Sequence, residues 1–273
     1  MSEPSATFGG DDGETIAPHL DFSEIRAIFF DLDDTLCAYW EASKFGMRRA
    51  FELHGPEGFT VEEMVRYWAA AFREFSPTLK QTGWYDGYLK SGEPTRTEQM
   101  RLTLFRMGIV DEERAKALSQ AYFVERDRAL RLFDDSEFVL QSLSKRYPLG
   151  LITNGPADIQ RQEIRTLGIE RFFRHILIEG EMGEGKPNPT VFARALQAID
   201  GKPEEILFVG NSYAHDVSPA LACGWRAVWV RRATDVPPSA GIGPSLPEEM
   251  PAGGQAPDAV IANLSELLDM LPL

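Results

Sequence analysis

The stretch IFFDLDDTL, residues 28–36, joins an apolar run to two aspartates spaced two residues apart. Its first three residues are typical of a buried strand, because a strand covered on both faces of a parallel sheet is apolar throughout. Asp31 and Asp33 follow this run directly. The carboxyl ends of parallel strands form the crevice in which α/β proteins bind ligands. We therefore expect both carboxylates to lie in a ligand-binding crevice.

Five further apolar runs predict five more strands. Together, the six predicted strands cover residues 25–30, 149–153, 176–178, 206–209, 227–230 and 259–261. Most of the later runs are separated by helical patterns, and strands that alternate with helices indicate a parallel sheet. One such helix is expected to begin at Pro189, because Asn188 precedes a proline that suits the first helical turn. Asn263 with Glu266 predicts the start of the last helix.

A long helical insert interrupts this pattern after the first strand. Residues 38–133 form amphipathic stretches rich in aromatic and aliphatic side chains, with little of the alternation that marks a strand. We therefore predict a core made from residues 21–37 and 134–273, and a helical cap domain at residues 38–133. Within the core, residues 234–257 are rich in Pro, Gly and Ala and predict a long loop.

The composition argues against several classes of protein. The chain has 273 residues and a net charge of −14, without a cluster of Lys and Arg, so we expect no nucleic acid polymer as a partner. Residues 1–20 are interpreted as a disordered acidic tail, and no signal peptide or long apolar run is found, which predicts a soluble protein that binds no membrane. Cys37 and Cys223 show no disulfide or zinc-site spacing, which fits a reducing cytoplasm.

Polar segments follow four of the predicted strands. They are Asp31 with Asp33, then Thr153-Asn154-Gly155, then Lys186, and finally Asn211 with Asp216. Each segment alone is more often an ordinary turn or a surface residue. Their occurrence at successive strand ends favours a single site to which all four contribute.

Together these segments resemble the haloacid dehalogenase-like (HAD) hydrolase superfamily, whose pattern is a DxDxT motif, a Ser or Thr motif, a Lys motif and a final acidic motif. The resemblance covers essentially residues 25–232. It implies an α/β fold with a Rossmann-like parallel sheet and a helical cap inserted after the first motif. The sequences LITNG at residues 151–155 and GKP at 185–187 look most like the branch of 5′-nucleotidases and N-acylneuraminate-9-phosphatases.

The resemblance implies separate roles for the two aspartates. Asp31 would attack phosphorus and form an aspartyl-phosphate, which divides the hydrolysis into two substitutions. Asp33 would protonate the leaving oxygen and then activate water. In dehalogenating relatives this second position is not acidic, since a halide leaves without a proton. Asp33 therefore favours a phosphate ester over a carbon–halogen bond.

The same resemblance assigns the phosphate-binding groups. Thr153, with backbone N–H groups around Asn154 and Gly155, would hold the phosphoryl oxygens, and Lys186 would supply positive charge to them. Thr35 is expected to order the loop that follows the nucleophile.

Mg²⁺ is the implied cofactor, bound by Asp31, the backbone carbonyl of Asp33 and the fourth motif. That motif usually reads GDxxxxD, but here residues 210–216 read GNSYAHD, so Asn211 stands where an aspartate is common and Asp216 is retained. Asn211 can still offer an oxygen, but one negative charge is lost, which predicts weaker Mg²⁺ binding. His215 is interpreted as a helix-start residue rather than a base.

The expected function is Mg²⁺-dependent hydrolysis of a small phosphomonoester, such as a nucleoside monophosphate or a sugar phosphate. A phosphosugar mutase, a 2-haloacid dehalogenase and a non-catalytic scaffold of the same fold are the alternatives. The aromatic cluster of Trp84, Tyr85 and Tyr88 belongs to the cap core or forms a wall that stacks on a base or sugar. A small phosphorylated metabolite is the only expected partner, and the protein is expected to be a monomer or a homodimer.

Overall fold

A six-stranded parallel sheet lies at the centre of the molecule. The computed structural model describes residues 22–237 and 248–272. Within these residues the strands are arranged in the order β3-β2-β1-β4-β5-β6, and every neighbouring pair is parallel. The strands are β1 (Ala27–Phe30), β2 (Leu149–Thr153), β3 (Phe173–Ile178), β4 (Ile206–Gly210), β5 (Arg226–Val230) and β6 (Ala259–Ile261). The predicted α/β fold with a parallel sheet is confirmed.

Eleven α-helices accompany the sheet within the described residues. They are α1 (Tyr39–His54), α2 (Val61–Phe75), α3 (Tyr85–Lys90), α4 (Glu93–Arg106), α5 (Glu112–Ala129), α6 (Ser136–Leu143), α7 (Ala157–Thr166), α8 (Glu179–Met182), α9 (Pro189–Ile199), α10 (Ser218–Ala222) and α11 (Leu267–Met270). As predicted, α9 begins at Pro189, where the side chain of Asn188 accepts a hydrogen bond from the backbone N–H of Thr190 at 3.1 Å. No helix in these two described ranges has the length and hydrophobicity required to cross a membrane.

The strand β1 is buried on both faces, because its alternating side chains point into two separate hydrophobic clusters. Ile28 and Phe30 pack into one cluster with the side chains of α6 and α11. Ala27 and Phe29 pack into the other, with the side chains of α9 and Trp225. Double coverage of this kind requires an apolar strand, which explains the apolar run that precedes Asp31.

Four of the helices between β1 and β2, namely α1, α2, α4 and α5, form a third hydrophobic cluster, which shares no residue with the two around the sheet. Its largest side chains include Phe51 on α1, Trp68 on α2, Met100 on α4 and Tyr122 on α5. We refer to α1–α5 as the helical insert. The proposed domain boundaries at residues 38 and 133 stay a prediction.

Within the insert, α1 and α5 approach each other closely at Gly46. A Cβ atom at Gly46 would lie 2.7 Å from the backbone nitrogen of Arg126, closer than real Cβ atoms approach. The small residue thus lets α5 lie against α1, and this fixes the position of the Arg126 side chain.

Two predicted strand limits differ from the structure by two residues or more. Residue 25 lies in a turn, where the N–H of Ile25 donates to the carbonyl of Phe22, so β1 begins two residues later. The strand β3 begins at Phe173, before the predicted residue 176, because it is an edge strand with partly exposed side chains and therefore lacks a continuous apolar pattern.

The predicted tail at residues 1–20 lies outside the described residues. Between β5 and β6, the described residues 231–237 and 248–258 contain no helix or strand, in agreement with the predicted loop. The remainder of that loop is also outside the described residues.

Candidate active site

The carboxyl ends of β1, β2 and β4 meet at a buried lysine. The Nζ atom of Lys186 lies 2.7 Å from Oδ1 of Asp31, which follows β1. It also lies 2.6 Å from Oδ1 of Asp216, which belongs to the turn after β4. Lys186 is only 2% exposed. The structure thus brings together residues from the first, third and fourth predicted segments.

For both Asp31 and Lys186, burial shifts the pKa in one direction and the charge of the other group shifts it in the opposite direction. Burial raises the pKa of the Asp31 carboxyl to about 6, although the ammonium group of Lys186 lowers it. Burial alone would lower the pKa of Lys186, but the carboxylates of Asp216 and Asp31 raise it above its ordinary value. Lys186 therefore stays charged and holds Asp31 as a carboxylate in a poorly solvated place.

Asp216 approaches the lysine because the backbone beside it carries no side chain. A Cβ atom at Gly210 would lie 2.4 Å from Oδ2 of Asp216. That oxygen accepts a hydrogen bond of 2.9 Å from the backbone N–H of Ser212, and the other oxygen accepts from Lys186. Both carboxylate oxygens of Asp216 are thus bonded to the protein.

A chain of polar side chains leads from Asp31 to a further carboxylate. The hydroxyl of Thr35 donates to Oδ2 of Asp31 at 2.9 Å and also lies 3.2 Å from Oδ1 of Asn211. The side-chain amide of Asn211 donates to Oδ2 of Asp235 at 2.8 Å. Burial raises the pKa of Asp235 to about 6, although its hydrogen bond with Asn211 lowers it. Thr35 therefore orders the loop after Asp31, as expected.

Asp33 lies in a more strongly acidic environment than Asp31. Burial, and after it the charges of Glu163 and Asp31, raise the pKa of Asp33 well above its ordinary value. The side-chain amide of Gln160 lies 3.4 Å from Oδ2 of Asp33 and 2.9 Å from Oε2 of Glu163. The carboxyl of Asp33 is therefore protonated more readily than an ordinary aspartate. Two carboxyl groups that are two residues apart thus have different proton affinities, the usual sign of separate acid and nucleophile roles.

The segment Thr153-Asn154-Gly155 was expected to bind phosphoryl oxygens, but in the structure its polar groups bind other protein groups. The hydroxyl of Thr153 is bonded to Oε1 of Gln160 at 2.6 Å. The backbone N–H of Gly155 donates to Oε2 of Glu179 at 3.0 Å. Asn154 uses its side chain to hold the backbone of Lys186, with contacts of 2.7 and 2.8 Å. All three residues reach the site, but these groups already have protein partners, so their predicted contacts with phosphate stay a prediction.

A cavity of about 730 Å³ joins these residues to the helical insert. It is lined by Asp31, Asp33 and Lys186 of the core and by Arg96 and Tyr122 of the helices between β1 and β2. The cavity is large enough for a small metabolite with a phosphate group.

The aromatic cluster at residues 83–88 contributes little to this cavity. Of its three aromatic side chains, only that of Tyr88 lines the cavity. Trp84 is 38% exposed, and the hydroxyl of Tyr85 donates to Oε1 of Glu179 at 2.7 Å. Stacking of a base or sugar on this cluster would therefore have to involve Tyr88.

His215 also lines the cavity, and its Nδ1 atom lies 3.2 Å from the hydroxyl of Ser212. It belongs to a single π-helical turn, Tyr213–Val217, that begins at Ser212. This position agrees with its interpretation as a residue at a helix start.

Four residues of the site were not predicted from the sequence, although three of them lie in a pattern that carried a signal. Glu163 lies on the same face of α7 as the buried Ile164, and Arg126 continues the buried face of α5. A charged residue on the apolar face of a helix indicates a buried partner. Gln160, one turn before Glu163, shares that buried face. Asp235 follows β5 by five residues, in the segment interpreted only as a loop.

The oxygen atoms at this site suit Mg²⁺. Among the described residues, no three His, Cys, Asp or Glu side chains form a centre that could hold a metal ion by themselves. Mg²⁺ does not require such a centre, because it prefers oxygen ligands, retains several waters and uses one or two carboxylates together with a substrate phosphate. Asp31 provides a carboxylate, and Asn211, with Asp235 bonded to it, provides further oxygens. The predicted ligands Asp33 and Asp216 stay predictions, and both oxygens of Asp216 already accept hydrogen bonds from the protein. The residues present therefore fit the ion.

Comparison with known proteins decides the family. The family model described as haloacid dehalogenase-like hydrolase matches residues 25–224. The chain belongs to the haloacid dehalogenase-like hydrolase family. This confirms the resemblance noted from the DxDxT motif and the three motifs that follow it.

Curated HAD relatives are named as phosphatases. The phosphoserine phosphatase of Thermus thermophilus is 33% identical over 244 residues, covering 83% of this chain and 94% of that protein. The N-acylneuraminate-9-phosphatase of Mus musculus is 27% identical over 235 residues, covering 80% of this chain and 87% of that protein. The predicted enzyme class, a HAD-like phosphatase, is confirmed at this level.

Solved structures of HAD proteins share the fold. YfnB of Bacillus subtilis, a HAD-hydrolase whose structure is bound to magnesium, has a TM-score of 0.66 and 20% identity, with 91% of this chain and 99% of that chain covered. The L-2-haloacid dehalogenase of Xanthobacter autotrophicus has a TM-score of 0.65 and 22% identity, with 90% and 98% covered. At such identities the likeness establishes the fold alone.

Proposed function

We propose that this HAD protein is a Mg²⁺-dependent phosphatase of a small phosphorylated metabolite and acts through an aspartyl-phosphate on Asp31. The observation that carries the proposal is the contact of 2.7 Å between Asp31 and the buried Lys186. Asp33, two residues after Asp31, has a carboxyl whose pKa is raised. Nucleoside monophosphates and sugar phosphates are the first compounds to test, and the predicted cytoplasmic location fits substrates of this kind.

In the first step, a carboxylate oxygen of Asp31 attacks phosphorus. A phosphorus–oxygen bond forms on Asp31, the bond between phosphorus and the ester oxygen breaks, and that oxygen takes the proton from Asp33. The raised pKa of Asp33 suits it to carry this proton. Lys186 balances the negative charge on the phosphoryl oxygens as the bonds change.

In the second step, the carboxylate of Asp33 removes a proton from water. The water oxygen attacks phosphorus and the phosphorus–oxygen bond to Asp31 breaks, so that phosphate leaves and the carboxylate of Asp31 is regenerated. Asp31, with Asn211 and Asp235, would hold Mg²⁺, which would supply positive charge to the negative groups that meet at the site. A water molecule thus replaces the alcohol, and Asp33 regains its proton.

Asp33 also disfavours the dehalogenase alternative. Several solved structures of similar fold are haloacid dehalogenases, but a halide leaves without protonation and has no use for a carboxyl that retains its proton. The phosphosugar mutase uses the same nucleophile and differs only in the fate of the phosphoryl group.

The proposal is tested by the products of turnover. Phosphate release is measured on p-nitrophenyl phosphate and on a panel of nucleotides and sugar phosphates, with Mg²⁺ and with EDTA, for the wild type and for Asp31→Asn. We expect release that requires Mg²⁺ and disappears in Asp31→Asn. Halide release from 2-haloacids, or conversion of a sugar phosphate to its isomer without phosphate release, would contradict the proposal.

A further inference from the structure

The cavity wall formed by α4 carries a positive charge that forms no ion pair within the described residues. Arg96 lines the cavity, and its Nε atom lies 3.2 Å from the carbonyl oxygen and 3.1 Å from the hydroxyl of Ser119. Its guanidinium carbon lies 4.8 Å from the centre of the Phe123 ring. In the part of the chain that the structure describes, no carboxylate forms an ion pair with Arg96. The side chain is held in place while its charge remains unmatched.

A second donor lies one helical turn further along α4. Gln99 also lines the cavity, on the same face of the helix as Arg96. Its Nε2 atom is buried and has no hydrogen-bond partner among the residues that the structure describes. A buried donor without an acceptor is costly, so a group that supplies the acceptor would be bound favourably.

The neighbouring Arg126 does not add a second unpaired positive charge to the cavity wall. Arg126 lines the same cavity, and its guanidinium carbon lies 5.6 Å from the centre of the Phe123 ring. Its Nε and Nη2 atoms have no hydrogen-bond partner among the described residues, but its charge is matched by Glu163 at 2.9 Å. The charge of Arg96 therefore remains as one unmatched positive charge, with one unmatched amide donor beside it. A planar group with one negative charge and two acceptor oxygens fits this pair better than a dianion.

The same cavity is lined by Asp31 and Lys186. We infer that the substrate carries a carboxylate at the end remote from its phosphate, and that Arg96 binds this carboxylate with Gln99 as a second donor. The inference rests on the proposed phosphatase function and names its substrate class, a phosphomonoester of a small carboxylic acid. Arg96 and Gln99 thereby determine specificity and take no part in the bond changes at phosphorus.

Matched substrates test the inference. 3-Phosphoglycerate is compared with glycerol 3-phosphate, and O-phosphoserine with phosphoethanolamine, because the members of each pair differ at the carboxylate. We expect the wild type to show a kcat/KM that is roughly 10- to 100-fold higher for the acid, the range for a hydrogen-bonded charged group.

Gln99→Glu is the decisive variant, because it places a negative charge beside the proposed carboxylate and removes no hydrogen bond made by the amide nitrogen. We expect it to abolish the preference for the acids, because kcat/KM falls further for 3-phosphoglycerate and O-phosphoserine than for glycerol 3-phosphate and phosphoethanolamine. Arg96→Lys keeps the charge but loses the fork of the guanidinium, and it should lower the preference in part. Arg101→Gln, on the same helix but paired with Glu98, is the control that should retain the full preference.

The outcomes separate the two proposals. Equal rates on both members of each pair, or a loss in Gln99→Glu that affects both members equally, would overturn the carboxylate inference and leave the phosphatase intact. Absence of phosphate release from every ester, p-nitrophenyl phosphate included, would instead overturn the proposed function.

Discussion

Arg126 on α5 lies 2.9 Å from Glu163 on α7, as measured from Nη2 to Oε1, and both side chains are almost fully buried. The guanidinium is not aligned for a hydrogen bond with this oxygen, so the contact is an ion pair. Burial raises the pKa of Glu163 to about 7, although the charge of Arg126 lowers it. The pair connects the helical insert to the core directly beside Asp33.

We expect Glu163→Gln to lower the free energy of unfolding by about 3–5 kcal/mol, because it leaves the buried charge of Arg126 unpaired. The double variant Arg126→Met with Glu163→Leu removes both charges and should be closer to the wild type in stability. Urea denaturation of the three proteins measures the effect. A double variant that is less stable than Glu163→Gln would show that the pair does not act as a unit.

Asp33→Asn should affect substrates according to their leaving groups. With glycerol 3-phosphate the leaving oxygen needs a proton, and we expect turnover to fall by roughly 10²- to 10⁴-fold. With p-nitrophenyl phosphate the leaving group departs as the anion, so the first step should persist while the attack of water slows. Rapid mixing should then show a burst of p-nitrophenolate equal to the enzyme concentration. A slow release without a burst would contradict the role assigned to Asp33.

The aspartate that follows Asp33 should destabilise the fold as the pH rises. Burial raises the pKa of Asp34 to about 8, although a hydrogen bond from the backbone of Trp40 lowers it. The folded protein holds the proton on Asp34 more tightly than the unfolded chain does. The stability that this proton contributes is therefore present at pH 4 and is lost as the pH approaches 8.

Asp34→Asn should therefore be more stable than the wild type at pH 8 and similar to it at pH 4, with the melting temperature rising by about 2–4 °C for each kcal/mol. Thermal melts in EDTA measure this difference. The control is Asp111→Asn, where hydrogen bonds from Arg114 lower the pKa of an exposed carboxyl. Its effect should have the opposite sign, with stability lost at pH 8. The same slope in both variants would contradict the assignment.

Asp235 should contribute to Mg²⁺ binding beside Asn211, from which it accepts a hydrogen bond of 2.8 Å. We expect Asp235→Asn to weaken Mg²⁺ binding, measured by calorimetry and by the rise in melting temperature that Mg²⁺ produces, because a charge near the ion is lost. Asn211→Asp should strengthen the binding for the opposite reason. Asp258→Asn, whose carboxylate is paired with Arg226 elsewhere, is the control. Unchanged binding in Asp235→Asn would place the ion away from this carboxylate.

The sequence allowed the sheet and the centre of the site to be predicted because both follow from local patterns. An apolar run followed by Asp31 indicates a buried strand end, and the ends of parallel strands meet at one edge. That reasoning placed Asp31, Lys186 and Asp216 in one site, and the structure shows them in contact.

Other features of the site depend on tertiary contacts that no local pattern specifies. The side chain of Asn154 holds the backbone of Lys186, and the N–H of Gly155 is bonded to Glu179. Both contacts join segments that are more than twenty residues apart. Asp235 reaches Asn211 through a loop without regular structure, where neither periodicity nor capping predicts a position.

The most direct test of the central claim is to identify the phosphorylated residue. Asp33→Asn is mixed with p-nitrophenyl phosphate and Mg²⁺, quenched in acid and analysed by peptide mass spectrometry. We predict one phosphoryl group on the peptide that contains Asp31, sensitive to hydroxylamine and absent when Asp31→Asn is added to the same protein. A phosphoryl group on another residue, or a burst of p-nitrophenolate without any modified peptide, would contradict the account.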